Sequence, residues 1–195
     1  MKKIMFNDRY HLTEMVLMER KTMTRRLAQP HSRSAAGALQ LCPAYEVGEK
    51  VAIARCYFNL LFEQKQLEEL GGKSKITFED TPELRECPGF TNKMFVKADL
   101  MPDKILITSV TLQRLQDITE QEAIEEGIIY REDAYRQHGF GYTLPNISLE
   151  TTPNKYMCFI NAREAFRHLI NIISGYDVWE KNPFVYAYKF KLMND

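Results

Sequence analysis

The stretch Lys21-Thr22-Met23-Thr24-Arg25-Arg26 gathers hydroxyls and cations into one short run. On a helix, Lys21 and Arg25 share a face by i,i+4 spacing. In an extended segment, Lys21, Met23 and Arg25 alternate against Thr22, Thr24 and Arg26. Either geometry sets hydroxyls beside cations, which suits recognition of a phosphate or a carbonyl oxygen. A threonine hydroxyl is a weak nucleophile alone, and a neighbouring lysine of lowered pKa would serve as its base. The same run equally suits a solvated basic helix end, where cations meet the carbonyl end of the dipole. Downstream, Glu125-Glu126-Gly127 puts carboxylates at a helix C-terminus, against the dipole, a position that calls for a nearby cation. If the basic run supplies that cation, lysine, threonine and glutamate form an acid–base cluster. If not, the carboxylates end an ordinary solvated helix. Near the C-terminus stand Tyr176, Trp179, Phe184, Tyr186, Tyr188 and Phe190. Aromatic rings beside cations stack single-stranded or flipped bases, although rings alternating along a strand also build core.

These groups need elements to hold them. Residues 1–6 read as a short strand. Asn7 or Asp8 then caps a helix whose apolar positions Leu12, Met15, Val16 and Met18 return at helical spacing, and which runs into residues 19–26. Pro30, Ser32, Ser34, Gly37 and Pro43 mark a long polar loop. A turn at Gly48-Glu49 leads into a strand over 50–57. Residues 60–70 are helix-like and stop at Gly71-Gly72, and 94–96 and 104–112 read as strands rich in β-branched residues. Thr119-Glu120-Gln121-Glu122 is a capping box, so 119–126 is a short helix stopped by Gly127. Residues 130–155 look irregular, 161–173 form an amphipathic helix, and 184–192 alternate as a closing strand.

Strands so few and unevenly spaced do not suit a doubly wound sheet, and no glycine-rich phosphate loop follows the first strand. The expected class is α+β, a small mixed β-barrel with peripheral helices. The expected organisation is a single domain over 1–195 with insertions at 58–92 and 130–158. The chain holds 26 basic and 26 acidic residues. A protein that coats nucleic acid without sequence preference needs a basic excess, so any such role here is local. The balance hides an asymmetry. Residues 1–33 carry eight Lys or Arg against three acids, and 63–86 and 117–133 carry seven acids each. The N-terminus meets charge before any apolar run, and no stretch is long and apolar enough to span a bilayer, so the expected location is cytoplasmic with no membrane role. Cys42, Cys56, Cys87 and Cys158 are far apart and read as reduced thiols, and the scattered His11, His31, His138 and His168 add no metal site.

Taken together and in this order, these segments resemble the ASCH superfamily, whose fold is a PUA-like β-barrel. Its Gly-x-Lys-x-x-x-x-Arg signature is met at Lys21 and Arg26, with Glu19 standing where glycine is usual. The chain looks most like phage- and prophage-associated ASCH proteins. The matching features are the Lys-Thr-x-Thr-Arg-Arg run, Gly48-Glu49, Met101-Pro102, Leu115-Gln116-Asp117-Ile118-Thr119, Glu126-Gly127 and Trp179-Glu180-Lys181-Asn182-Pro183. The resemblance implies binding of RNA or a modified nucleoside or nucleotide in a small pocket, without a cofactor. It implies ligand contacts from Arg20, Thr22, Arg25 and Arg26 beside Lys21, Thr24 and Glu126. One branch of the superfamily is an acetylcytidine amidohydrolase, whose catalytic lysine, threonine and glutamate carry over onto Lys21, Thr24 and Glu126. The alternative activity is therefore removal of an acyl group from acetylated cytidine or a related base. A third possibility is an interaction module whose insertions hold a protein partner.

Overall fold

A computed structural model describes residues 1–33, 39–74, 77–145 and 157–193. In chain order the elements are β1 (Lys2–Ile4), α1 (Leu12–Leu17), β2 (Met23–Leu27), β3 (Pro30–Arg33), β4 (Leu39–Leu41), β5 (Lys50–Ile53), α2 (Tyr57–Glu69), α3 (Pro82–Glu86) and β6 (Lys104–Arg114). They continue with α4 (Glu120–Glu125), β7 (Ile129–Tyr130), α5 (Glu132–His138), β8 (Tyr142–Thr143), β9 (Cys158–Phe159), α6 (Ala162–Ser174), α7 (Val178–Lys181) and β10 (Phe184–Met193). The class is α+β, as the mixture of spacings implies. The described strands include a five-stranded sheet of order β1-β5-β6-β10-β2 that does not close, which carries the α+β class and not the finer expectation of a barrel. No helix among them is long and apolar enough to cross a membrane.

The chain divides into two compact units. Unit 1 comprises Met1–Phe6, Lys50–Ile105 and Met193–Asp195. Here β1 and β5 run parallel, with Ile4 opposite Ile53. The apolar core gathers Ala52, Ala54, Tyr57, Leu60, Val96 and Met101, and Phe78 and Phe90 pack against it. The Tyr57 ring lies tilted against Phe78 at 5.4 Å, and its hydroxyl accepts the Lys97 N–H at 2.9 Å, so the buried phenol keeps a polar partner. Two sequence expectations fail in this unit. The strand from Lys50 stops at Ile53, because Cys56 opens α2 instead. Residues 94–96 are not a strand: Asn92 accepts the Met94 N–H at 2.9 Å and closes a 3-10 turn over Lys93–Phe95. The side-chain cap outweighs the strand propensity of three residues.

Unit 2 comprises Asn7–Glu49 and Leu106–Leu192. Strand β10 pairs antiparallel with β2, setting Tyr188 opposite Thr24 and Tyr186 opposite Arg26. Helix α4 begins at the expected box: Thr119 accepts the Glu122 N–H at 3.2 Å, and the Glu122 carboxylate accepts the Thr119 N–H at 3.1 Å. It ends at Gly127, whose φ of +105° suits glycine. Helix α6 is capped by Asn161 and buries Ala162, Ala165, Phe166 and Leu169, a single stripe at i, i+3, i+4 and i+7. Trp179 packs edge-on against Phe166 at 6.4 Å. The Glu120 carboxylate accepts the Ala162 N–H at 2.7 Å, tying α4 to the start of α6.

Three further expectations change in unit 2. Helix α1 stops at Leu17 and does not continue to Arg26, because Glu19 takes a left-handed φ of +57°. The peptide N–H groups of Arg20 and Lys21 then both close on the Met15 carbonyl, at 2.9 and 3.0 Å. The expected polar loop after Pro30 holds the β3–β4 hairpin, with residues 34–38 outside the described residues. The stretch expected to be irregular from 130 contains α5 and, with β9, a small antiparallel sheet of order β7-β8-β9. Residues 146–155 of it fall outside the described ones.

Candidate functional site

The basic run sits wholly within unit 2, and its conformation settles which residues can meet. The Thr22 N–H donates to the Glu125 carbonyl at 2.9 Å, and the Thr22 carbonyl accepts the Phe190 N–H at 2.9 Å. Those two bonds pin Lys21 beside the C-terminal end of α4. From there the Lys21 ammonium donates to the Glu126 carbonyl at 2.7 Å and to its carboxylate Oε2 at 2.6 Å. A cation at a helix C-terminus meets both the exposed carbonyls and, here, a carboxylate that the dipole alone would disfavour.

Arg25 completes the arrangement from strand β2. Its Nη1 donates to Glu126 Oε1 at 3.2 Å and its Nη2 to Glu122 Oε2 at 2.8 Å. Glu122 and Glu126 are one helical turn apart, so a single guanidinium bridges them. The Lys21, Arg25 and Glu126 side chains are only 2%, 1% and 5% exposed. Two cations and two carboxylates make the quartet electrically neutral. Neutrality is what allows so much charge to sit away from water. The guanidinium also lies 5.8 Å from the Phe166 ring centroid, while its Nε is buried without a hydrogen-bond partner. Burial holds the Lys21 ammonium below its ordinary pKa; the Glu126 carboxylate opposes that shift, and Arg26 and Arg25 reinforce it. At the flank, Lys189 pairs with Glu125 at 3.0 Å.

Strand alternation puts Thr24 and Arg26 on the opposite face of β2 from Arg25. There they stand beside their cross-strand partners Tyr188 and Tyr186. The two phenol rings are 6.2 Å apart, and Tyr45 meets Tyr188 edge-on at 5.4 Å. The Tyr188 hydroxyl accepts the Ala44 N–H at 2.9 Å. Burial raises the pKa of both Tyr45 and Tyr188, and the Arg26 charge pulls each back. This second face combines a hydroxyl, a guanidinium and three phenols.

Of the residues singled out in the sequence, Lys21, Arg25 and Glu126 therefore meet directly. Thr24 and Arg26 share the tyrosine face, and no hydrogen bond joins the Thr24 hydroxyl to Lys21 or Glu126 among the described residues. Arg20 is exposed and Thr22 is half-buried. Sequence reasoning missed Glu122 as a partner of Arg25, because its role in the capping box already accounted for it. The i,i+4 spacing to Glu126 was the available signal. It also missed Tyr45, which arrives from a segment with no strand or helix pattern. Among the described residues, no group of three His, Cys, Asp or Glu could hold a metal ion.

The arrangement defines an α+β protein in which one strand presents a buried lysine–carboxylate cluster on one side and, on the other, a buried tyrosine-lined face carrying the half-buried Arg26. No protein-family model, curated protein or solved structure matches the chain.

Proposed function

We propose that the chain is a cytoplasmic, PUA-like ASCH protein that binds RNA or a modified nucleoside through one base. The observation that carries this reading is the face of β2 and β10 where Thr24 and Arg26 stand beside Tyr188 and Tyr186. The half-buried Arg26 guanidinium offers paired donors to a carbonyl or phosphate oxygen, and Thr24, Tyr186 and Tyr188, only 5%, 8% and 1% exposed, form the wall behind it. Zero net charge agrees with recognition of a single nucleotide over coating of a long strand.

The test is calorimetric titration of cytidine, acetylcytidine and a short single-stranded RNA. Binding of the RNA is expected to weaken with salt, and binding of each ligand to fall at least ten-fold in Arg26→Ala. Affinity unchanged in that variant would refute the reading.

A second reading, amide hydrolysis, is favoured by the lowered proton affinity of Lys21. In that reaction a base removes the Thr24 hydroxyl proton as Oγ attacks the acyl carbonyl. The C–N bond breaks, the cytosine amine leaves with a proton, and water then hydrolyses the threonyl ester to release acetate. It requires the Thr24 hydroxyl to come within reach of the Lys21 amine. Release of free cytidine from acetylcytidine, abolished in Lys21→Ala and in Thr24→Ala, would establish it. No turnover, or turnover that survives both changes, would dismiss it.

A further inference from the structure

We propose that a cavity of about 300 Å³ in unit 1, alongside α2, binds a small monocarboxylate with an apolar body. This site lies within the other unit and is independent of the nucleoside reading above. Its walls are Leu60, Leu67, Phe78 and Pro102, an apolar lining into which a short chain or ring can be drawn out of water. Its polar residues are Arg55, Glu63, Lys73, Ser74 and Asp103, four of them charged.

The charges are unequally held. Arg55 is only 8% exposed, and its Nη1 donates to Asp103 Oδ2 at 3.2 Å. Asp103 is itself 16% exposed, and its carbonyl accepts the Ile53 N–H at 2.9 Å, so that carboxylate is fixed at the entry to β6. Glu63 pairs with Nη2 of the same guanidinium from the outer side of α2, with its side chain 50% exposed. Glu63 is half exposed and can exchange the guanidinium for water, while Asp103 keeps its own hold on Arg55. When it turns away, Arg55, Lys73 and Asp103 leave a single positive charge over an apolar wall. Among the described residues the exposed Lys73 ammonium has no ion-pair or hydrogen-bond partner. One carboxylate head would satisfy both it and the freed Nη2. Glu63 thus occupies the position that the carboxylate of a ligand would take.

The experiment titrates hexanoate, hexanol and hexylamine into the full chain, following the methyl signals of Leu60 and Leu67. Hexanoate is expected to bind best and to shift those methyls. Its affinity should rise roughly two- to five-fold in Glu63→Gln, which removes the competing carboxylate. It should fall roughly ten-fold in Lys73→Ala, the scale of one charge-assisted hydrogen bond. Lys73 is exposed, so that variant keeps its fold, and the circular dichroism spectrum verifies it. Equal or better binding of the amine, weaker binding in Glu63→Gln, or shifts confined to other methyls would overturn the proposal. So would the absence of hexanoate binding in both the parent chain and Glu63→Gln.

Discussion

Replacing Glu126 by Gln takes one charge out of a quartet that is otherwise neutral. Glutamine keeps the shape of the side chain, and its amide oxygen can still accept one hydrogen bond, so the loss is electrostatic. Two cations, 2% and 1% exposed, are left with Glu122 alone. Breaking a buried pair by removing one partner costs about 3–5 kcal/mol, because the remaining charge stays buried and uncompensated. The expected destabilisation of Glu126→Gln falls in that range. Lys21→Met removes the orphaned ammonium, and the double variant should recover about 2–3 kcal/mol relative to the sum of the single changes. Urea unfolding followed by fluorescence measures both. Trp179 is the chain's one tryptophan and packs on Phe166 within unit 2, so its emission reports on the unit that holds the quartet. A Glu126→Gln variant within about 1 kcal/mol of the parent would refute the reasoning. Strict additivity of the two changes would refute it equally.

Two more outcomes follow from the same unit. The Lys21 ammonium binds its proton less tightly folded than unfolded, where its pKa is 10.5, so the unfolded chain holds more protons and stability rises with pH toward that value. Tyr45 and Tyr188, with raised pKa, act in the opposite sense only above pH 10.0. Urea midpoints should therefore climb as the pH rises toward 10.5 in the parent and climb less in Lys21→Met; parallel curves would contradict the assignment. At the end of α1, Glu19 holds a φ of +57°, a conformation that disfavours a Cβ by about 1–2 kcal/mol. Glu19→Gly should raise stability by about 1 kcal/mol and Glu19→Ala should not, and a thermal melt in which the two variants coincide would remove strain as the explanation.

The parts of this fold that the sequence declares are those where one local signal outweighs its rivals. Helix α4 follows from Thr119 and Glu122 capping each other, α6 from four apolar residues on one stripe, and β10 from its alternation. The end of α1 was not legible. Met18 and Glu19 both have adequate helix propensity, and the stop comes from backbone closure onto the Met15 carbonyl, a contact no spacing rule records. The β3–β4 hairpin was hidden by prolines and serines that read as loop. In the site, charge and helix polarity left two readings of Glu125-Glu126 open, a cation from the basic run or a solvated helix end, and only the resemblance set Lys21 with Glu126. The division of labour along β2 was not legible either. Whether Arg25 or Arg26 turns toward α4 depends on where the strand begins, and a shift of one residue exchanges the two faces. Once β2 starts at Met23, Arg25 is committed to carboxylates and Arg26 is left with the tyrosines.

The small sheet in unit 2 has a consequence for the course of the chain. The polypeptide leaves β8 at Thr143 and re-enters β9 at Cys158, and those two residues are paired directly across the ladder. The ends of the intervening segment are thus held together whatever its length. The Thr143–Cys158 pair therefore fixes both the point where the chain departs from the small sheet and the point where it returns.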